Sequence, residues 1–166
     1  MKDLQRVVGA KADGVAGPET LKLAAQMDGK TIIQKLCARR MSFLQGLAIW
    51  NTFKRGWTRR VADVEAKGVA MWLKMGGASG AVVSGTLKSE AVKADKTAAG
   101  QNKGAAGAGA GGAGVGGGDA VVSGGDPNWM LWIVVALVLA GALVLFVKSR
   151  QNKERADAYA AVAIAA

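Results

Sequence analysis

"WMLWIVVALVLAGALVLFV", residues 129–147, is a run of nineteen uncharged and almost wholly apolar residues. No other feature restricts the fold so strongly. As a helix the run reaches ~28 Å, close to the ~30 Å hydrocarbon core of a bilayer. Asp126 and Asn128 can cap its start, Pro127 suits a first helical turn, and Trp129 and Trp132 suit a membrane interface. A Gly-rich stretch precedes the run and a short charged tail follows, so no domain is at hand to bury it as a core helix. The pattern predicts a transmembrane helix over 129–147. Lys148, Arg150, Lys153 and Arg155 come directly after it, whereas 110–128 hold no Lys or Arg. By the positive-inside rule, residues 148–166 become a cytoplasmic tail with a basic start, and the N-terminal domain lies outside on a single-pass chain. "MKDLQRVVGAKADG" has no apolar leader core, so export of that domain would fall to the span itself.

Upstream, residues 76–128 hold 16 of the chain's 24 glycines, including "GAAGAGAGGAGVGGG". This composition reads as a flexible Gly/Ala-rich linker without apolar periodicity, too poor in buriable surface to offset chain entropy. Its r.m.s. reach as a coil is about 40 Å. The expected fold class is all-α: a domain of about four helices over 1–75, then a disordered linker, then one transmembrane helix.

Helical signals concentrate in residues 1–75. "KDLQRVVGA" predicts a short helix stopped at Gly9, with Leu4, Val7 and Val8 inward. Asp13-Gly14 is a turn pair, and Gly17-Pro18 opens the next helix with Glu19 in its first turn. A third helix, about 30–50, sets Ile33, Leu36, Cys37, Phe43, Leu44 and Leu47 on one stripe. Arg40 falls in that stripe, either as a structural ion pair with a snorkelling stem or as a ligand-facing cation. Asn51 to Gly56 is read as a turn around which Trp50, Phe53 and Trp57 pack. A last helix then buries Trp57, Val61, Val64, Gly68, Met71, Trp72 and Met75. Arg59, Asp63 and Lys67 fall on its solvated face. Gly68 in the stripe signals that another backbone approaches closely there.

The chain carries 22 Lys and Arg against 12 Asp and Glu, a net charge of +10, and no histidine. Basic charge implies an anionic partner without choosing among nucleic acid, lipid and wall polymer. Lack of histidine removes the commonest general base and metal ligand, and the lone Cys37 is expected to be an inert packed thiol. No metal and no cofactor are expected.

Three blocks in order, "LQRVVGAKADGVAGPETLKLAA", "ARRMSFLQGL" and "FKRGWTRRVADVEA", resemble the C-terminal predicted peptidoglycan-binding domain of glycoside hydrolase family 108. That family comprises bacterial and phage-type N-acetylmuramidases, many of them endolysins. The resemblance covers about residues 3–75. Matching positions are Asp13, Gly14, Gly17, Pro18 and Thr20, then Arg40 and Phe43, then Phe53, Arg55, Gly56, Trp57 and Arg59. It implies a unit that helps hold murein, in a protein of the bacterial inner membrane. The family's catalytic lobe, with its glutamate in a Glu-Gly-Gly motif, has no counterpart here. Of the carboxylates left, Asp13, Glu19, Asp63 and Glu65, the first two have turn and helix-start roles and Asp63 is solvated. Glu65 is expected to partner Arg40, and no active site is read.

The leading expectation is therefore a membrane-tethered, non-catalytic peptidoglycan-binding module. Arg40, Trp50, Arg55, Trp57 and Arg59 are its candidate ligand contacts, because glycans favour aromatic faces and murein carries carboxylates that arginines clamp. Asp13, Gly14, Gly17, Pro18, Thr20, Phe43, Phe53 and Gly56 form its structural motif. An equally open local reading makes Phe53 and Trp57 core and the arginines merely solvated. Alternative functions are the C-terminal half of a split muramidase whose catalytic lobe is encoded separately, and a single-span lysis accessory of holin or spanin type. Nucleic-acid binding rests on charge alone and is disfavoured.

Overall fold

The computed structural model describes residues 1–111 and 129–166, and among them there is no strand. Six helices follow in order: α1 (Lys2–Val8), α2 (Pro18–Ala25), α3 (Gly29–Gln45), α4 (Trp50–Met75), α5 (Gly80–Gly111) and α6 (Trp129–Ala165). The chain forms two compact units. The first, here called the body, joins Met1–Lys93 to Glu154–Ala166; the second is Ala94–Lys153.

Local chemistry sets the early helices. α1 ends where Gly9 turns left-handed, at φ +82°. Gly14 is left-handed too, at φ +97°, and both positions are cheap only for glycine. Gln5, 1% exposed, organises the loop between α1 and α2. Its amide donates to Asp13 Oδ1 (2.6 Å), Val15 O (2.9 Å) and Thr20 Oγ1 (3.3 Å), and accepts from the Gly14 N–H (2.8 Å). Gly17 is extended and Pro18 takes the first helical position. Asp28 caps α3 by accepting from the Thr31 N–H at 2.9 Å.

Several sequence expectations change here. First, Asn51–Gly56 is not a turn: α4 begins at Trp50, and the reversal falls at residues 46–49, directly after α3. Second, α4 buries the face one step round from the expected stripe. Thr58, Ala62, Glu65, Ala66, Val69 and Ala70 are inside. Val64, Met71, Trp72 and Met75 are instead 54%, 65%, 43% and 81% exposed, and Trp57 is half-buried. Alanines on the inner face let neighbouring helices approach closely, so the bulky side chains are the ones displaced outward. Gly68 does mark a close approach, by the Ile33 side chain rather than a backbone: a Cβ there would lie 3.2 Å from Ile33 Cγ2.

Third, the Gly/Ala-rich tract is helical over Gly80–Gly111 rather than a disordered linker; the expectation for 112–128 lies outside the described residues. Val83, Leu87, Ala91, Ala94 and Ala98 recur at helical spacing and are all buried. Alanine has the best helix propensity, and a stripe of this kind needs little bulk to pack. Val83 and Leu87 join Val69, Ala66, Tyr159 and Ala163 in the core of the body. Each fully buried Val or Leu side chain contributes roughly 1.5–3 kcal/mol.

α6 does not stop at Val147. It carries a stretch, Val135–Ala165, long and apolar enough to cross a membrane, and its last turns pack into the body with residues 1–93. Tyr159 is 1% exposed there. Glu65, 3% exposed, pairs not with Arg40 but with Arg155, whose Nε donates to Glu65 Oε1 at 3.1 Å. The Tyr159 hydroxyl donates to the same oxygen at 2.9 Å. Within the second unit, Ser149 Oγ donates to Ala98 O (2.9 Å), and a Cβ at Gly104 would lie 3.5 Å from Leu145 Cδ1. Later residues on one helix meet earlier ones on the other, so the two segments run antiparallel.

Arg155→Met leaves the Glu65 carboxylate buried without its cation and should destabilise the body by about 3 kcal/mol. The double variant Glu65→Met/Arg155→Met should recover most of that loss in thermal unfolding. Equal losses in single and double variants would contradict this account of the pair.

Candidate functional site

α3 and α4 enclose a groove of about 410 Å³. Leu36, Cys37, Arg40 and Leu44 line it from α3, and Trp57, Arg60, Val61 and Val64 from α4. Both sets follow helical spacing, so one face of each helix builds one wall. Arg40 lies over the Phe43 ring, its Cζ 5.6 Å from the centroid. Beside the groove Phe53 stacks on Trp57 at 5.5 Å and 25°, and Trp50 tilts against Trp57 at 6.1 Å. Phe43 and Phe53 are 58% and 50% exposed, so this aromatic cluster opens to solvent. Neither Arg40 nor Arg60 has an ion-pair partner among the described residues. In chemical terms this is an apolar cleft with aromatic faces and two available guanidinium groups. Such a surface suits an anionic ligand with an apolar or sugar-like flat face. Burial pushes the Cys37 thiol up to about 11, so the groove floor offers no nucleophile at neutral pH.

Arg40 and Trp57 thus line the groove, and Trp50 buttresses Trp57. Arg55 is exposed on α4 away from the groove lining. Arg59 lies off it as well and pairs with Glu154 at 3.3 Å. Arg60 was passed over by the sequence reading. The spacing Trp57, Arg60, Val61, Val64 along one helix is the signal that finds it.

Among the motif residues, Asp13, Gly14 and Thr20 meet at Gln5, and Gly17-Pro18 opens α2. Gly56 sits inside α4, where an added Cβ would touch nothing within 4 Å. Of the carboxylates weighed earlier, Asp63 pairs with Lys67 at 2.9 Å and Asp13 is held by Gln5 and the Val15 N–H. Those two bonds keep the Asp13 carboxyl below its usual range.

A second polar cluster lies inside the body. Glu90, 9% exposed, accepts from Lys30 (3.2 Å), Lys93 (3.0 Å) and Gln34 (3.2 Å). Gln34 also donates to the Tyr159 hydroxyl at 3.3 Å, which links Glu90 to Glu65. Every carboxylate in the chain Glu90–Gln34–Tyr159–Glu65–Arg155 is engaged by a cation, so the cluster braces helices rather than presenting a free acid. No described group of His, Cys, Asp and Glu has the arrangement to hold a metal ion.

Comparison with protein families, with curated proteins and with solved structures found no match.

Burial raises the Glu90 pKa, but Lys93, Lys30 and Gln34 outweigh it and hold the carboxyl below its ordinary 4.5. A depressed folded-state pKa gives stability that is present above the unfolded value and lost as pH falls through the folded one. Thermal stability should therefore drop on acidification below a pH of about 4.5, and Glu90→Gln should flatten that acid limb. An unchanged acid limb in the variant would show that Glu90 does not couple to folding.

Proposed function

We propose that the body is a non-catalytic peptidoglycan-binding module held at a membrane by α6. The observation that carries this is the groove between α3 and α4, where Arg40 and Arg60 flank an apolar cleft beside the Trp50–Phe53–Trp57 cluster. Murein combines sugar rings, which stack on aromatic faces, with lactyl and peptide carboxylates, which bind guanidinium groups. The same surface coincides with two of the three sequence blocks that resemble the wall-binding domain of family 108. Its ligand residues are Arg40, Arg60 and Trp57, with Trp50 behind the ring; Arg55 and Arg59 contribute general positive charge.

A second reading makes the body a docking partner for a muramidase catalytic lobe carried on a separate chain. Met71, Trp72 and Met75, 65%, 43% and 81% exposed on α4, favour it by offering an apolar surface outside the groove. The lysis-accessory reading draws on α6 rather than on the groove.

Full-length protein in detergent should co-sediment with purified sacculi. Arg40→Ala and Arg60→Ala should each weaken this about tenfold, the loss of one charge-assisted hydrogen bond or slightly more. The exposed Lys22→Ala should leave it unchanged. Equal losses at Lys22 would mean that only net charge is being read. Release of reducing sugar from the sacculi would contradict a non-catalytic module.

A further inference from the structure

The groove between α3 and α4 is one-sided in its hydrogen-bonding chemistry. Its polar side chains are Arg40, Arg60, Trp57 and Cys37, and the rest of its lining is leucine and valine. A guanidinium and an indole N–H donate and never accept, and a thiol is weak in either role. No carboxylate, amide or hydroxyl side chain stands among the lining residues. Their backbone carbonyls lie within α3 and α4, where helical hydrogen bonds take them up. The acid whose charge reaches Cys37 is Glu65, and Arg155 and Tyr159 hold it.

A ligand that fits must therefore bring acceptors and apolar groups to this lining. Sugar hydroxyls fail the condition. Each is a donor as well as an acceptor, and a donor enclosed without a partner opposes binding. A carboxylate only accepts, and a guanidinium meets it with parallel N–H donors. Arg40 and Arg60 are exposed and have no ion-pair partner among the described residues, so both are available. At about 410 Å³ the groove lies toward the small end of the ~300–1,000 Å³ usual for ligand sites. That is room for one short chain end rather than a polymer strand. Murein meets the condition at the free end of its stem peptide, where an alanine methyl sits beside an α-carboxylate.

We propose that the groove captures the carboxylate end of a murein stem peptide rather than the glycan strand. Arg40 and Arg60 take its carboxylates, and Leu36, Leu44, Val61 and Val64 pack its methyl groups. The inference rests on the peptidoglycan-binding reading and names the part of the polymer that the groove reads. Peptide N–H groups further from the end face the open side, where Val64 is 54% exposed and water can satisfy them. Phe53, 50% exposed beside the groove, is placed for the glycan that carries the peptide.

The test is competition for full-length protein co-sedimenting with sacculi in an uncharged detergent. The probes are the peptide alanyl-γ-glutamyl-diaminopimelyl-alanine and the same peptide amidated at its terminal carboxyl. Beside them stand an N-acetylglucosamine oligomer, with hydroxyls but no carboxylate, and octanoate, with a carboxylate on an acyl chain. The free peptide should displace the protein, and the amidated form should need about tenfold more. The sugar oligomer and octanoate should leave it bound. Val64→Asp sets a carboxylate one helical turn from Arg60 at an exposed position, where it competes for the guanidinium. This variant should bind sacculi about tenfold more weakly at an unchanged melting temperature, whereas a sugar-reading groove would tolerate the added acceptor. Displacement by the oligomer but not by the peptide overturns the inference and leaves the binding module standing. Equal potency of the two peptides, or displacement by octanoate alone, overturns it too. No sedimentation at all overturns the module and the inference together.

Discussion

Glu65 Oε1 receives Arg155 and the Tyr159 hydroxyl inside the body, and much of the structure follows from that meeting. A carboxylate buried to this degree is tolerable only with a cation and hydrogen bonds at hand. Glu65 finds them 90 and 94 residues further along the chain. The body closes only when the end of α6 returns to α4. Gln34 and Glu90 extend the same chain of contacts to α3 and α5, so four helices share one polar brace. A network with each acid paired fixes register in a way that an alanine-rich apolar core does not by itself.

The alanine faces explain what lies outside. Ala66 and Ala70 on α4 join Val83, Leu87 and Ala91 on α5 within the core. Close packing of these small residues leaves Phe43, Phe53 and Val64 at or beside the groove. The groove is thus a product of the packing: bulk excluded from the core becomes a binding surface flanked by Arg40 and Arg60.

Helices α1 and α2 are legible in sequence because their stops and starts are local: Gly9, Asp13-Gly14 and Gly17-Pro18 each act within a few residues, whereas the reversal between α3 and α4 lies at residues 46–49 and not at 51–56. The apolar run that forms the first part of α6 was equally plain. What was missed depends on partners far away. Large side chains were assumed to face inward on α4, and the inward face proved to be the small one. Val83, Leu87 and Ala91 form a helical stripe that the surrounding glycines obscured. No spacing rule links Glu65 to Arg155, so Arg40 looked the more reasonable partner. In the candidate site Arg40 and Trp57 were found from the motif blocks. Arg55 and Arg59 came from the same blocks, and Arg60, although it lies one step from Val61 on the groove side of α4, is not among the matching positions.

The central claim is that residues 154–163 belong to the same cooperative body as the middle of α4. Native-state hydrogen exchange of the full chain in lipid nanodiscs measures this directly. Amides of residues 154–163 should exchange as slowly as those of residues 62–70 and share their dependence on denaturant, because both open only when the body unfolds. Exchange of 154–163 at the rate of a frayed terminus, with 62–70 still protected, would contradict the account.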